Sequence, residues 1–213
     1  MGKYKKGILG PFRGIIGTVI GSIWNGVQYM RSLPELSGKN PSTEQLNIRF
    51  RFSLIGSFVK VMQNHISVGY QSFKNGMTPA NAATGYHLKN AITGIAPDYK
   101  IDFAKVVLSV GKLNDANKCK AVPTANVEIN CEWEASSSTE YNDKLDLATI
   151  VVYHPERNIV VSAKGVAPRS ALKYKMTLPF DFAGDEVHCW IYFVSPTGKS
   201  VSNSSYLGKL TVL

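Results

Sequence analysis

Apolar and polar residues alternate along the first third of the chain. Ile15, Gly17, Val19, Gly21 and Ile23 fall on one parity, and Ile16, Thr18, Ile20, Ser22 and Trp24 on the other. A period of two is the strand pattern. Asn25-Gly26 is a strong two-residue turn signal, and alternation resumes from Val27 to Leu33, so the stretch predicts a β-hairpin. Both parities are apolar, and glycine weakens a strand because it has no Cβ to pack and the most backbone freedom to lose. Such a hairpin suits a place across another sheet or another subunit.

The period changes after Pro34 and the polar stretch ELSGKNPST. Leu46, Phe50, Leu54, Phe58 and Met62 recur every four residues, Ser42 with Gln45 fits a capping box, and Glu44 falls in the first turn, so a helix is predicted over Thr43–Asn64. A second, shorter helix is predicted in MTPANAATGYHLKNAI, with Thr78 as N-cap and Pro79 at the first helical position.

From Tyr99 onward short alternating runs recur. Strands are predicted at YKIDFAKVVLSVGKL, ANVEINCEWEA, KLDLATIVVYH, NIVVSAKG, LKYKMTLP, EVHCWIYFVSP and YLGKLTVL, separated by turns such as SSSTEYND, FAGD and SPTGKS. Seven such strands indicate an antiparallel sandwich, with Trp133 and Trp190 in its core. The predicted class is mostly β with α: a C-terminal β-sandwich, immunoglobulin-like in general architecture, a helical segment before it, and an N-terminal Gly-rich β-hairpin arm. The corresponding domains are 1–34, 35–98 and 99–213. An antibody-type domain carries Tyr two residues before its second Cys; here Val187 stands there, so the likeness is one of general architecture.

Length and composition fit this picture: 213 residues with 44% hydrophobic content can bury a core. The net charge of +9 is unevenly placed. Residues 1–75 hold 10 Lys/Arg and 2 acids, 76–130 hold 6 and 4, and 131–213 hold 8 and 9, giving +8, +2 and −1. A basic N-terminal third invites an anionic partner, while Lys3, Lys5 and Lys6 also serve simply to keep an apolar arm soluble.

Glycines, Pro11 and Arg13 interrupt any signal-peptide h-region, so no cleavable leader is expected. The uncharged run Gly14–Met30 is too short and too Gly-rich to predict a membrane span. The glycines have no GK[ST] partner and no preceding strand, which removes the phosphate-loop reading.

Cys119, Cys131 and Cys189 show no metal-ligand spacing; Cys131–Cys189 is the candidate disulfide, with buried thiols as the alternative. The histidines His65, His87, His154 and His188 are scattered, and His87 reads as a packing or surface residue. Glu140, Asp143, Asp146, Asp185 and Glu186 lack the spacing of a calcium loop and read as solvated turn acids. No nucleophile elbow, HExxH or paired-acid signature is present, so no catalytic residue, metal or cofactor is expected, and the chain reads as a non-enzyme.

The series G-x-x-G-x-x-x-G-S-x-W-x-G-x-x-Y-x-R-S-x-P (Gly14 to Pro34), PSTEQLNIRFRF (from Pro41) and the closing DEVHCWIYFVSPTGKSVSNSSYLG resemble an uncharacterised Bacteroidota protein family, a domain of unknown function, over nearly the whole chain. The T-x-Q-x-x-x-R block (Thr43 to Arg49) is similar to segments of small phage and prophage structural proteins. The first resemblance implies no activity; the second implies assembly.

Two functional expectations result. The first is a structural, self-assembling subunit of a virion-like particle or filament, cytoplasmic before assembly. Ile16, Val19, Ile20, Trp24, Val27 and Tyr29 would pack between copies, and Arg13 and Arg31 would pair charges. The alternative is a nucleic-acid or anionic-surface binding module using Lys3, Lys5, Lys6, Arg13, Arg49 and Arg51. A ligand site at Tyr141, Tyr153 and Tyr206 is a third, weaker reading.

Overall fold

The computed structural model describes residues 3, 4, 7, 10–24, 26–35, 38, 40–73, 76–135 and 144–213. The chain divides into two units, Met1–Ser42 and Thr43–Leu213.

In the first unit β1 (Lys3–Tyr4), β2 (Phe12–Ile16), β3 (Val19–Trp24) and β4 (Val27–Ser32) form one antiparallel sheet in that order. The expected strand from Ile15 to Trp24 is broken in two. Gly17 takes φ +57°, a left-handed conformation open to glycine, and the chain reverses there. The β3–β4 pair runs from Val19↔Ser32 to Trp24↔Val27. Asn25 of its turn lies outside the described residues, and Gly26 takes φ +80°. Gly21 is required for a different reason: a Cβ there would strike the Phe12 ring and backbone, so glycine lets β2 pack Phe12 onto β3.

The second unit begins with α1 (Thr43–Val61), α2 (Gln63–Gly69) and α3 (Pro79–Asn90). Thr78 caps α3 as its sequence predicts, its side chain accepting from Asn81 N–H at 3.2 Å. The single helix expected through Asn64 breaks at Met62. The expected apolar stripe divides too: Ile55, Phe58, Val59 and Met62 are buried, whereas Leu46 and Phe50 are exposed, because the body covers only the C-terminal half of α1.

A hairpin of β5 (Ile92–Ile95) and β6 (Asp98–Ile101) follows, then β7 (Asn117–Thr124), β8 (Glu128–Glu134), β9 (Leu147–His154), β10 (Ile159–Pro168), β11 (Lys173–Thr177), β12 (Glu186–Val194) and β13 (Ser205–Thr211). One sheet has the order β10-β9-β12-β13 and another β11-β8-β7. Ile129, Cys131 and Trp133 of β8 and Met176 of β11 share a core with Ile150, Val152, Cys189, Ile191 and Phe193. This is a β-sandwich core. The opposite faces of β9 and β12 present Val151, Tyr153, Trp190 and Tyr192 to a second core made with Ile55, Phe58, Met62 and Ile66 of the helices. Strands buried on both faces read as continuous apolar runs, which is what LATIVVYH and HCWIYFV are.

One strand expectation is corrected, and one strand was not expected. YKIDFAKVVLSVGKL is strand only at its start. Residues 106–113 run irregularly, burying Val106 and Leu108 against the helices. Their backbone groups are satisfied elsewhere: Val110 N–H donates to Gly69 O at 3.0 Å, Leu108 N–H to Ser204 Oγ at 2.8 Å and Leu113 N–H to Val201 O at 3.1 Å. Conversely, β7 was hidden by Pro123 and its lysines, which an edge strand tolerates because one side needs no ladder partner.

Gly69 ends α2 where this irregular segment crosses, and a Cβ there would overlap Leu108 O and Ser109 Cα. Gly69→Ala should lower the unfolding free energy by about 1–3 kcal/mol through overpacking, measured by urea denaturation. Stability equal to wild type would show that the crossing yields freely.

Candidate interaction surface

Antiparallel register fixes which side chains of the N-terminal sheet share a face, since directly paired residues lie on the same side. Ile15 pairs with Ile20, and Ile20 with Arg31; Ser22 pairs with Tyr29 and Trp24 with Val27. Arg13 is exposed like Ile15, in a strand whose exposure alternates, and Lys3 pairs with Arg13. One face therefore carries Ile15, Ile20, Trp24, Val27 and Tyr29 together with Lys3, Arg13 and Arg31. The opposite face carries Phe12, Ile16, Val19, Gly21, Ile23 and Met30.

The six residues expected to pack between copies are thus split. Ile20, Trp24, Val27 and Tyr29 stand together with the cations, and Ile16 and Val19 lie on the other side, half-buried under the same sheet as Phe12. Trp24 is 44% exposed, Tyr29 43%, Val27 62% and Met30 70%. Every residue of β4 is exposed, and among the described residues no strand pairs with its outer edge. A shallow groove of about 540 Å³ at the Leu33 end is lined by Val19, Met30, Arg31 and Leu33.

The expected cations do not form one cluster. Lys5 and Lys6 lie outside the described residues. Arg49 is exposed on α1, but Arg51 is used within the body: its Nη2 donates to Leu88 O at 2.8 Å, and the guanidinium lies 5.9 Å from the Tyr99 ring centre.

The turn acids are corrected in part. Asp146 is fully buried, not solvated, and accepts from Arg169 Nη2 at 3.2 Å. Arg169, 4% exposed, also donates to Asn114 O at 2.8 Å, and its guanidinium stacks 3.9 Å from the Phe193 ring centre. Asp185 accepts from His154 Nε2 at 2.8 Å and Arg157 Nη2 at 2.9 Å. The His154 bond, with Arg157 beside it, holds the Asp185 carboxyl below its ordinary range. Glu186 pairs with Lys209. Glu140 and Asp143 lie outside the described residues, among which no three His, Cys, Asp or Glu side chains gather to hold a metal.

The remaining titratable groups are packed into the body. His87 is buried, and its Nε2 accepts from Val107 N–H at 3.2 Å, which requires the neutral ring; burial lowers its pKa. His65 shares a 3.1 Å hydrogen bond with the Tyr192 hydroxyl, and His188 one of 2.7 Å with the Tyr206 hydroxyl. Burial first, then Lys164 for His65 and Lys209 for His188, brings each down to about 4. All three cysteines are free thiols, and burial pushes Cys131 up to about 12. Tyr153 is buried, bonded to Asn158, and Tyr206 is half-buried against His188, so neither stands free in a loop. Tyr141 lies outside the described residues.

Sequence reasoning found the apolar and basic residues of the N-terminal sheet but not their division between faces, which depends on the turn at Gly17.

These features define a mostly β protein: an antiparallel β-sandwich body covered on one sheet by helices, with a separate small sheet before it. The chain belongs to a family of unknown function (DUF6266), whose model matches residues 11–208, a stretch that runs through both units. No curated protein matches the sequence. Among solved structures the chain is similar to the fn3 domain of human collagen alpha-1(XX) chain, at 8% identity and a TM-score of 0.36, over 47% of this chain and 85% of that one. No helix among the described residues is long and apolar enough to cross a membrane.

Proposed function

We propose that the protein is a self-associating structural subunit whose N-terminal sheet joins neighbouring copies, in a virion-like particle or a filament. The observation that carries the reading is β4. It is a six-residue edge strand without proline and with the single charge Arg31, and its apolar residues Val27, Tyr29 and Met30 are exposed. Sheets ordinarily guard such an edge with lysines, proline, a bulge or a cover, because its free N–H and C=O groups accept another strand. An outer strand from a second copy satisfies those groups in the plane of the sheet and sets its own side chains beside the exposed apolar ones. The similarity of Thr43–Arg49 to segments of phage and prophage structural proteins supports the same reading, as does a body whose buried polar groups serve packing. The reading assigns the chain no reaction.

The test is the solution mass of the full chain and of the double variant Val27→Lys, Met30→Lys, by light scattering. Both positions are exposed, so the lysines leave the cores intact and place charge on both sides of the edge. The wild type should be an oligomer and the variant a monomer with an unchanged melting temperature. A monomeric wild type, or a variant of undiminished mass, overturns the proposal.

A further inference from the structure

The face that holds Trp24 and Tyr29 also has a use that edge pairing leaves open. Trp24 pairs with Val27, and Tyr29 is two residues further along β4, so the two rings are diagonal neighbours on one face of the sheet. Diagonal positions on paired strands are about 7–8 Å apart, within reach of two large aromatic side chains. Both rings are more than two-fifths exposed. Their surroundings on that face are cationic: Arg31 stands across from Ile20, Arg13 is exposed on β2, and Lys3 pairs with Arg13. Among the described residues none of these three cations has an acidic partner. Within residues 1–42 the six Lys/Arg (3, 5, 6, 13, 31 and 39) face one acid, Glu35.

We propose that this face binds single-stranded nucleic acid, with unpaired bases stacked on Trp24 and Tyr29 and phosphates held by Arg13, Arg31 and Lys3. The two halves of the argument need each other. Cations alone attract any polyanion, and exposed aromatics alone suit any apolar partner. A sheet face that joins stacking rings to flanking cations fits a ligand that is both anionic and aromatic, in which the bases are free to leave their stack. A duplex offers the charge but keeps its bases stacked on one another. The open sheet, where Ser22 pairs with Tyr29 and keeps the centre of this face low, leaves room for a strand to cross. The site uses the face of the sheet and not the β4 edge, so it does not depend on the assembly proposed above.

The experiment is fluorescence anisotropy of the full chain with labelled dT20, with a 20-base-pair duplex and heparin as competitors, over a series of salt concentrations. Binding of dT20 should exceed that of the duplex, and log K against log salt should fall with a slope of about −2, the value for three phosphate contacts on a single strand. Trp24→Ala and Tyr29→Ala should each weaken dT20 binding about fivefold to a hundredfold, as loss of one stacked base does, while leaving the salt slope unchanged. Arg13→Ala with Arg31→Ala should flatten the slope by about 1.4. Light scattering and melting of the same samples separate loss of the site from loss of assembly or fold. The proposal is overturned by the absence of dT20 binding. It is equally overturned if duplex or heparin displaces dT20 as well as unlabelled dT20 does while the aromatic variants bind like wild type, since that result describes an unspecific polyanion surface.

Discussion

Replacing Arg169 by alanine should cost about 3–5 kcal/mol of stability, because it leaves the carboxylate of a fully buried Asp146 without its guanidinium. The cost is large because the arginine joins several elements. It bonds to Asp146, spans to the carbonyls of Asn114 and Asp115, and stacks on Phe193. Its own carbonyl accepts from Trp133 Nε1 at 2.8 Å, so the backbone at residue 169 also fixes a core tryptophan of β8. Removing the charge from both partners, as in Asp146→Asn with Arg169→Met, should destabilise less than Arg169→Ala alone, since no unpaired ion is then left in the core. Urea denaturation at pH 7.5 measures both. An Arg169→Ala variant within 1 kcal/mol of wild type would show that Asp146 needs no cation.

The second large effect is acid unfolding well above the carboxylate range. His65 and His188 are neutral in the fold, with pKa values brought to about 4, whereas the unfolded chain binds their protons near 6.5. Between those values the unfolded state holds more protons, so stability falls as pH falls. The loss begins below about pH 6.5 and flattens below about pH 4. Its size is about 2 kcal/mol per histidine by pH 5 and about 3 by pH 4, with His87 adding in the same direction. Around His65 the facing groups are the Tyr192 hydroxyl and Lys164; around His188 they are the Tyr206 hydroxyl, Lys209 and Glu186, of which Glu186 alone favours the proton. Asp185 acts in the same direction at lower pH: its depressed pKa gives stability that is present above the unfolded value and is lost as the pH falls through the folded one. Unfolding free energies at pH 7.5, 6, 5 and 4.5 test this, and His65→Gln and His188→Gln should each remove one proton from the slope. Equal stability at pH 7.5 and pH 5 would contradict it.

Arg169 also shows where sequence reasoning stops. Asp146 borders a Ser- and Asn-rich stretch and looks like a turn acid, because nothing local marks a partner 23 residues away. Only the meeting of the β8 side of the sandwich with residues 114 and 115 gives that acid its buried cation.

What the sequence determined by itself is local. The alternation and the Asn-Gly turn marked the β3–β4 pair, Thr78-Pro79 marked the start of α3, and short runs set between polar turns marked β9 and β12, since each signal depends on neighbours along the chain. The tertiary structure decided the rest. It covered the second face of β9 and β12 with helices, left the N-terminal half of α1 exposed, and turned 106–113 from a strand into a packed irregular segment whose hydrogen bonds are made by distant residues. It also divided the N-terminal apolar residues between two faces, because strand register across the Gly17 turn, and not parity along the chain, sets which side chains stand together.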